Sequence, residues 1–186
     1  MPKTWFTSDF HFNHKLMAEL RGMQLEEMNE MLISKYNGRV KDEDTVFILG
    51  DVAFRTKEQS PKDFISRLNG KKIMVSGNHD SHNSIDTRLY GAVVKIGGFM
   101  LYLVHRPSDF NQNYEINLVG HIHTAWKIKV LPNGTKLVNV GVDVWDYMPV
   151  EINEILSRIQ LYEKTAPRDH HNEVMFEETV DTNDSE

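Results

Sequence analysis

Short runs rich in branched and aromatic residues recur along the chain and predict β-strands, because such side chains pack well on a pleated, half-buried surface. The runs lie at residues 4–7, 45–49, 72–76, 99–104, 116–119, 126–130 and 136–140. The Gly97-Gly98 and Asn133-Gly134 pairs next to the later runs are typical of hairpin turns.

Helical patterns separate the early runs. Between Leu16 and Tyr36, apolar residues recur at spacings of three to five and predict one apolar helical face. A second helix is predicted over residues 61–68, where Pro61 suits a first turn, and a short one around residues 152–161. This order predicts the α/β class, with parallel pairing early in the chain and antiparallel pairing late.

The chain has 186 residues, 40% of them hydrophobic, and is long enough to bury a substantial core. We expect one domain over residues 1–166, followed by a mobile acidic tail over residues 167–186 that is too polar to pack well. No stretch approaches the roughly 18 apolar residues of a membrane span, and the first residues lack the apolar core of a signal peptide. We therefore expect a cytoplasmic protein without a membrane partner.

The charge is unevenly distributed. Residues 167–186 hold 7 acids and 1 base, which leaves 20 acids and 20 bases in residues 1–166. Without a basic surplus, we expect no binding to extended nucleic acid. The chain has no cysteine, so disulfides and thiolate metal sites are excluded, and any metal must be bound through oxygen and imidazole nitrogen.

Side chains able to bind metals follow five of the predicted strands, each time at the carboxyl end. They are Asp9 with His11, Asp51, Asn78 with His79, His105, and His121 with His123. Singly, each has a plainer explanation, such as a helix cap for Asp9 or an ordinary turn for Gly50-Asp51. Because carboxyl ends of strands converge on one crevice in open α/β sheets, the five together predict one site.

Aspartate, asparagine and histidine ligands suit the hydrolysis of a phosphate ester. A bound metal lowers the pKa of water from 15.7 to about 7, and two cations about 3.5–4 Å apart also clamp the phosphate oxygens. An aspartate between the cations reduces their repulsion, and neutral imidazoles complete the coordination without repelling an anionic substrate.

These motifs, in this order and at these gaps, resemble the calcineurin-like metallophosphoesterase superfamily. The resemblance rests on Asp9-Phe10-His11, Gly50-Asp51, Gly77-Asn78-His79-Asp80, His105 and Gly120-His121-Ile122-His123, and it spans residues 4 to about 155. Phe12-Asn13-His14 and Val140-Gly141-Val142-Asp143 are similar to segments of the small bacterial and phage members. The resemblance implies two packed mixed β-sheets flanked by helices.

The same resemblance implies a role for each matching residue. One metal would be bound by Asp9, His11 and His123, a second by Asn78, His105 and His121, and Asp51 would bridge the two. His79 would lie near the leaving group, as a proton donor or as a hydrogen-bond partner of the phosphate; the plainer alternative is a structural histidine beside the site.

Three further residues are candidates for substrate binding. Arg106 stands where many members have glycine and close ones an aromatic residue, and its planar guanidinium suits phosphate. His14 and Arg21 are expected near the mouth of the site, although a surface role is the plainer explanation for Arg21.

The favoured function is a phosphodiesterase that acts on small nucleotide or cyclic-nucleotide diesters through a hydroxide bridging two metals. One alternative is an Mre-type DNA or RNA nuclease, which would be expected to add a DNA-capping domain and basic patches. A second alternative is a nucleotide phosphomonoesterase or pyrophosphatase. A third is a noncatalytic interaction module, but all seven ligand positions are filled, which argues against a loss of metal binding. Asp51 leads into Val52-Ala53-Phe54-Arg55 rather than the charged segment of protein serine/threonine phosphatases, which argues against protein phosphatase activity.

The cofactor predicted from the ligand set is a pair of divalent ions. Mixed carboxylate, amide and imidazole ligands accept manganese, iron, cobalt, nickel or zinc, and we favour manganese. The sequence leaves the oligomeric state and the biological substrate open.

Overall fold

The computed structural model describes residues 1–83, 85 and 87–165 of the chain. The strands of this part are β1 (Thr4–Thr7), β2 (Thr45–Leu49), β3 (Lys71–Val75), β4 (Gly91–Ile96), β5 (Phe99–Val104), β6 (Ile116–Val119), β7 (Ile128–Val130), β8 (Lys136–Asn139) and β9 (Val150–Glu151). The helices are α1 (Lys15–Leu20), α2 (Leu25–Asn37), α3 (Pro61–Ile65) and α4 (Ile152–Thr165), with 3-10 turns at Pro107–Asp109 and Val142–Val144. The predicted acidic tail over residues 167–186 lies outside the described residues.

The strands form two mixed sheets. The first has the order β3-β2-β1-β9 and the second the order β4-β5-β6-β8-β7. The predicted α/β class with two mixed sheets and helices is confirmed. The prediction of antiparallel pairing late in the chain was wrong in part: β4–β5 and β7–β8 are antiparallel hairpins, but β5, β6 and β8 pair in parallel. The reason is that residues 105–115 carry the chain from the end of β5 back to the edge of the sheet where β5 begins. β6 therefore runs in the same direction as β5.

Alternating side chains of β2 show why the core has two layers. Val46 and Ile48 pack with the cluster that includes buried residues of α1, α2 and α3. Phe47 and Leu49 pack between the two sheets, where α4 also contributes apolar side chains. In a strand, successive side chains point to opposite faces, so a strand covered on both faces reads as a continuous apolar run. Each such side chain contributes roughly 1.5–3 kcal/mol when fully buried.

The single helix predicted between Leu16 and Tyr36 is in fact two helices. Gly22 adopts a positive φ of 70°, which an α-helix does not allow, and the chain turns there between α1 and α2. The predicted apolar face is correct for α2, where Met28, Leu32 and Tyr36 are buried in the helix-side core. It was wrong for α1, where Leu16 and Leu20 are exposed and Met17 and Ala18 are buried instead.

The carboxyl ends of the parallel strands meet where the two sheets join. Ser8, just after β1, forms a parallel bridge with Gly141, just after β8, and the N–H of Val142 donates to the Ser8 carbonyl at 3.1 Å. The N–H of Asp9 donates to the Gly50 carbonyl at 3.1 Å, which joins the loops after β1 and β2. Loops from both sheets therefore share one edge. No helix in the described part of the chain has both the length and the apolar character needed to cross a bilayer.

Candidate metal centre

The structure brings all seven sequence-predicted metal ligands together at this shared edge. Six of them form two clusters in which the possible ligand atoms lie within 4.8 Å of one another: Asp9, His11 and His123, and Asp51, His105 and His121. The seventh, Asn78, joins the second cluster because its Oδ1 lies 2.8 Å from Nε2 of His105.

Asp51 lies between the two clusters. Its Oδ2 is 3.3 Å from Nε2 of His105 in one cluster and 3.8 Å from Nε2 of His11 in the other. Burial raises the pKa of Asp51, but the hydrogen bond and charge of His105 outweigh it, so the pKa falls well below its usual range. The carboxylate is therefore ionised at neutral pH, with one oxygen near both clusters.

Asp9 is fully buried and held by two donors. Its Oδ2 accepts the Ser8 hydroxyl at 2.6 Å, and both carboxylate oxygens lie 3.0 Å from the backbone N of His121. Burial raises the pKa of Asp9, only partly offset by nearby histidines. A buried carboxyl group with a raised pKa is one whose negative charge a bound cation would stabilise.

His11 is buried, and neither of its ring nitrogens has a hydrogen-bond partner among the described residues. Burial lowers the pKa of His11 well below its ordinary value, which keeps the imidazole neutral. Unpartnered buried polar atoms are rare in native proteins because each loses its hydration without compensation. A neutral imidazole is the form that binds a metal, so a divalent cation fits this environment.

His105 is oriented by the backbone. Its Nδ1 lies 2.6 Å from the Leu49 carbonyl, which can only accept, so Nδ1 carries a hydrogen and Nε2 faces Asn78 and Asp51. Burial lowers the pKa of His105, but the hydrogen bond and charge of Asp51 outweigh it and raise the pKa to about 9. The orientation of Nε2 toward two oxygen-bearing side chains and the raised pKa both indicate that the surroundings of His105 favour a positive charge.

His123 is oriented by a carboxylate that sequence reasoning did not assign a role. Its Nδ1 lies 2.8 Å from Oδ2 of Asp143, just after β8. Burial lowers the pKa of His123, but the hydrogen bond that its ring donates to Asp143 outweighs burial and raises the pKa. Burial in turn raises the pKa of Asp143, and its hydrogen bonds to His123 and Arg21 outweigh that effect and hold it well below its usual range.

Arg21 was expected to bind substrate at the mouth, and its position corrects that expectation. Its side chain is only 3% exposed, and its guanidinium donates to both carboxylate oxygens of Asp143, to the carbonyls of Asp9 and Phe10 and to the sulfur of Met28. These contacts engage all five N–H groups of the guanidinium, so none is left for a substrate phosphate.

The backbone at the ligands is strained. Among the described residues, positive φ angles occur at eight residues other than glycine, and five of these are predicted ligands: Asp9, His11, Asp51, His121 and His123, with φ between 43° and 73°. The left-handed region costs such residues roughly 1–2 kcal/mol each. Close packing adds a further constraint, since a Cβ at Gly120 would lie 2.5 Å from the Ser8 hydroxyl and 2.6 Å from Oδ2 of Asp9. Strain of this kind is concentrated at functional sites.

His79 lies at the mouth of the centre. Its side chain is 39% exposed and its Nε2 is 4.0 Å from Oδ2 of Asp51, while its backbone N–H donates to Oδ1 of Asp51 at 3.0 Å. The ring of His14 lies nearby, 5.6 Å from that of His11, and its Nδ1 accepts the N–H of Met17 at the start of α1. Arg106 directly follows His105 and is half-buried.

Asp80 is a second residue whose role sequence reasoning missed. It is buried, and its carboxylate accepts N–H groups of Asp51 at 3.2 Å, Val52 at 3.0 Å and Gly77 at 2.8 Å. It thereby holds the loops that carry Asp51 and Asn78. Its signal in the sequence was its place two residues after Asn78, which also suits an ordinary turn.

Known proteins resemble this chain over most of its length. The family model of the calcineurin-like phosphoesterases matches residues 2–178. The protein MJ1445 of Methanocaldococcus jannaschii is 30% identical over 168 residues, which cover 86% of this chain and 93% of that protein. The gene 66 protein of Mycobacterium phage L5 is 26% identical and the match covers 88% of this chain and 94% of that protein.

Among solved structures, the AQ665 protein of Aquifex aeolicus has the same fold. It matches with a TM-score of 0.65 at 21% identity, over 85% of this chain and all of that chain. Since the family model covers nearly the whole sequence, the chain belongs to the calcineurin-like phosphoesterase family.

Proposed function

We propose that the protein hydrolyses phosphodiesters with two divalent cations, one bound by Asp9, His11 and His123 and the other by Asn78, His105 and His121, with Asp51 between them. The observation that carries this proposal is His11, a buried neutral imidazole whose two nitrogens have no hydrogen-bond partner among the described residues. Its neighbours within the cluster are a carboxylate and a second imidazole, which together make a set of donors suited to a divalent transition metal.

When bound, such cations lower the pKa of a water molecule and neutralise charge on the phosphate. The protein's own groups then have distinct tasks. Asp51 presents an ionised oxygen to both clusters, at 3.3 Å from His105 and 3.8 Å from His11. His79, half-exposed beside Asp51, donates a proton to the departing oxygen.

The substrate that we propose is a small nucleotide or cyclic-nucleotide diester. Equal numbers of acids and bases in residues 1–166 support a small substrate over a long nucleic acid, whose binding depends on a basic surface. His14 and Arg106 are the residues proposed to contact the phosphate, since both neighbour predicted ligands. Manganese is the proposed metal, with iron, zinc, nickel and cobalt as the other ions that this donor set accepts.

A substrate panel tests the proposal. Chelated protein, and protein loaded separately with each metal, would be assayed on bis-p-nitrophenyl phosphate, p-nitrophenyl phosphate, 2′,3′- and 3′,5′-cyclic nucleotides, and single- and double-stranded DNA. We expect activity on the diesters that chelation abolishes and manganese restores. Full activity after exhaustive chelation, with no metal found by elemental analysis, would refute the metal-dependent mechanism. Faster cleavage of DNA or of the monoester would replace the proposed substrate class.

A further inference from the structure

We infer that Arg21 and Asp143 are positioning residues that set the affinity of one of the two proposed cations, the one bound by Asp9, His11 and His123. The inference rests on the proposed function and deepens it, because it makes the two cation sites unequal. Neither residue touches the reacting atoms; both act through the ligands that they hold.

Arg21 ties together the backbone that carries two of these ligands. It lies at the end of α1, and its Nη2 donates to the Asp9 carbonyl at 2.9 Å while its Nη1 donates to the Phe10 carbonyl at 2.8 Å. These are the two peptide units that join Asp9 to Phe10 and Phe10 to His11, and Asp9 and His11 have strained positive φ angles of 59° and 51°. The guanidinium therefore fixes the backbone from Asp9 to His11, and with it the direction in which the side chains of these two residues point.

The same guanidinium fixes the third ligand through Asp143. Nε and Nη2 of Arg21 donate to Oδ1 and Oδ2 of Asp143 at 2.7 and 3.0 Å, the two-bond geometry for which arginine is suited. Oδ2 of Asp143 is also 2.8 Å from Nδ1 of His123. An ionised carboxylate can only accept, so Nδ1 of His123 carries the hydrogen and Nε2 is the atom offered to a metal. Such carboxylate–histidine pairs typically change metal affinity 10–100-fold when they are broken.

The other cation site has its own supports. The Leu49 carbonyl orients His105, and Asp80 holds the loops of Asp51 and Asn78. The described hydrogen bonds of Arg21 and Asp143 reach none of the three ligands of that site, Asn78, His105 and His121, and do not reach Asp51, which lies between the two sites. Disturbing Arg21 or Asp143 should therefore weaken one cation and largely spare the other.

A purely structural role is the competing explanation, because Arg21 and Asp143 also join α1 to the turn after β8. Both side chains are almost fully buried, at 3% and 5% exposure. A buried ion pair is weak evidence for stabilisation, since apolar residues of similar volume often stabilise as much. Metal affinity separates the two explanations, because a structural role would alter stability alone.

The experiment is a calorimetric titration of the full chain with Mn²⁺, comparing the wild type with Asp143→Asn and Arg21→Lys. Electron paramagnetic resonance would distinguish coupled pairs from single ions. We expect one of the two Mn²⁺ ions to bind 10–100-fold more weakly in each variant, with the other ion within about threefold of the wild type. Lysine should not rescue Arg21, because one ammonium cannot reproduce the planar fork.

Asp44→Asn is the matched control. Asp44 is also a buried carboxylate with several donors, including the Trp5 indole at 2.9 Å, but it lies just before β2, at the opposite end of the sheet from the centre. This variant should lower the melting temperature and leave both Mn²⁺ affinities unchanged.

Unchanged affinities in Asp143→Asn, with a lowered melting temperature as in the control, would overturn the inference, and so would equal weakening of both ions. Should a variant fail to fold, the wild type loaded with diamagnetic Zn²⁺ still provides a test: nitrogen NMR should find the ring hydrogen of His123 on Nδ1, and a hydrogen on Nε2 would overturn the inference. A wild type that binds no metal refutes the proposed function itself, which is a different result from a variant that titrates like the wild type.

Discussion

Replacing His79 by alanine tests whether its imidazole donates a proton to the leaving oxygen. The ring is 39% exposed at the mouth of the centre, so its removal leaves no buried cavity. The contact that fixes this loop to Asp51 is made by the backbone N–H of His79, which alanine retains. We therefore expect the fold and both metals to stay in place, and the loss to be catalytic.

The size of the loss should depend on the leaving group. A ribose alkoxide is strongly basic and needs a proton as the P–O bond breaks, whereas p-nitrophenolate leaves readily as an anion. For a nucleotide diester we expect kcat/KM to fall on the order of 10²–10⁴-fold, or about 2.7–5.4 kcal/mol of transition-state stabilisation. For bis-p-nitrophenyl phosphate we expect a clearly smaller loss, of about tenfold or less.

The assay compares kcat/KM for the two substrates at saturating Mn²⁺, with metal content measured in each preparation. His82→Ala is the control, because it removes an exposed histidine from the same segment and should change neither value appreciably. Equal losses on both substrates would refute proton donation. They would reassign His79 to binding of the nonbridging oxygens, which the two substrates share.

Asp51→Asn should reduce catalysis more than loss of either His105 or His123 alone, because it removes the charge between the two cations; full occupancy of both metals in this variant would contradict that role. Removal of residues 168–186 should change turnover of a small diester less than about twofold, since that polar segment contains none of the proposed ligands; a large loss with the fold intact would show a contribution to the site. Asp44 gives a prediction for pH. Burial raises the pKa of this carboxyl, but the N–H donors around it outweigh burial and lower the pKa. Asp44 therefore stabilises the fold above its ordinary pKa of 3.8, and this contribution disappears as the pH falls through the lower folded value. Urea unfolding should show Asp44→Asn about 1–3 kcal/mol less stable at pH 7 and a smaller difference in acid.

The sequence predicted most of the strands because they are rich in branched and aromatic residues, and in β2 and β6 these runs are buried on both faces. Two strands were missed for physical reasons. β4 begins with glycine and alanine and is partly exposed at a sheet edge, so its pattern is weak, and β9 is only two residues long. Boundaries that depend on a single backbone angle, as at Gly22 between α1 and α2, are also not visible in apolar spacing.

The candidate ligands could be found in the sequence because their residue types and their places after strands repeat one rule. The same rule applied once more, to the strand predicted at residues 136–140, would have singled out Asp143. The role of Arg21 could not be found this way. A lone arginine after a helix reads as a surface cation, and only the fold shows that the Asp9 and Phe10 carbonyls and Asp143 surround it.

The left-handed backbone at five ligand positions has a consequence for how the family can change. Glycine adopts such angles without steric cost and asparagine tolerates them well, so either residue in place of His11 or His121 would relieve local strain while removing a proposed metal ligand. Random mutagenesis scored by thermal stability alone would therefore enrich inactive proteins at these positions. Under the proposed two-metal mechanism, catalysis and stability therefore favour different residues at these positions, and a descendant released from catalysis should accumulate glycine and asparagine there first.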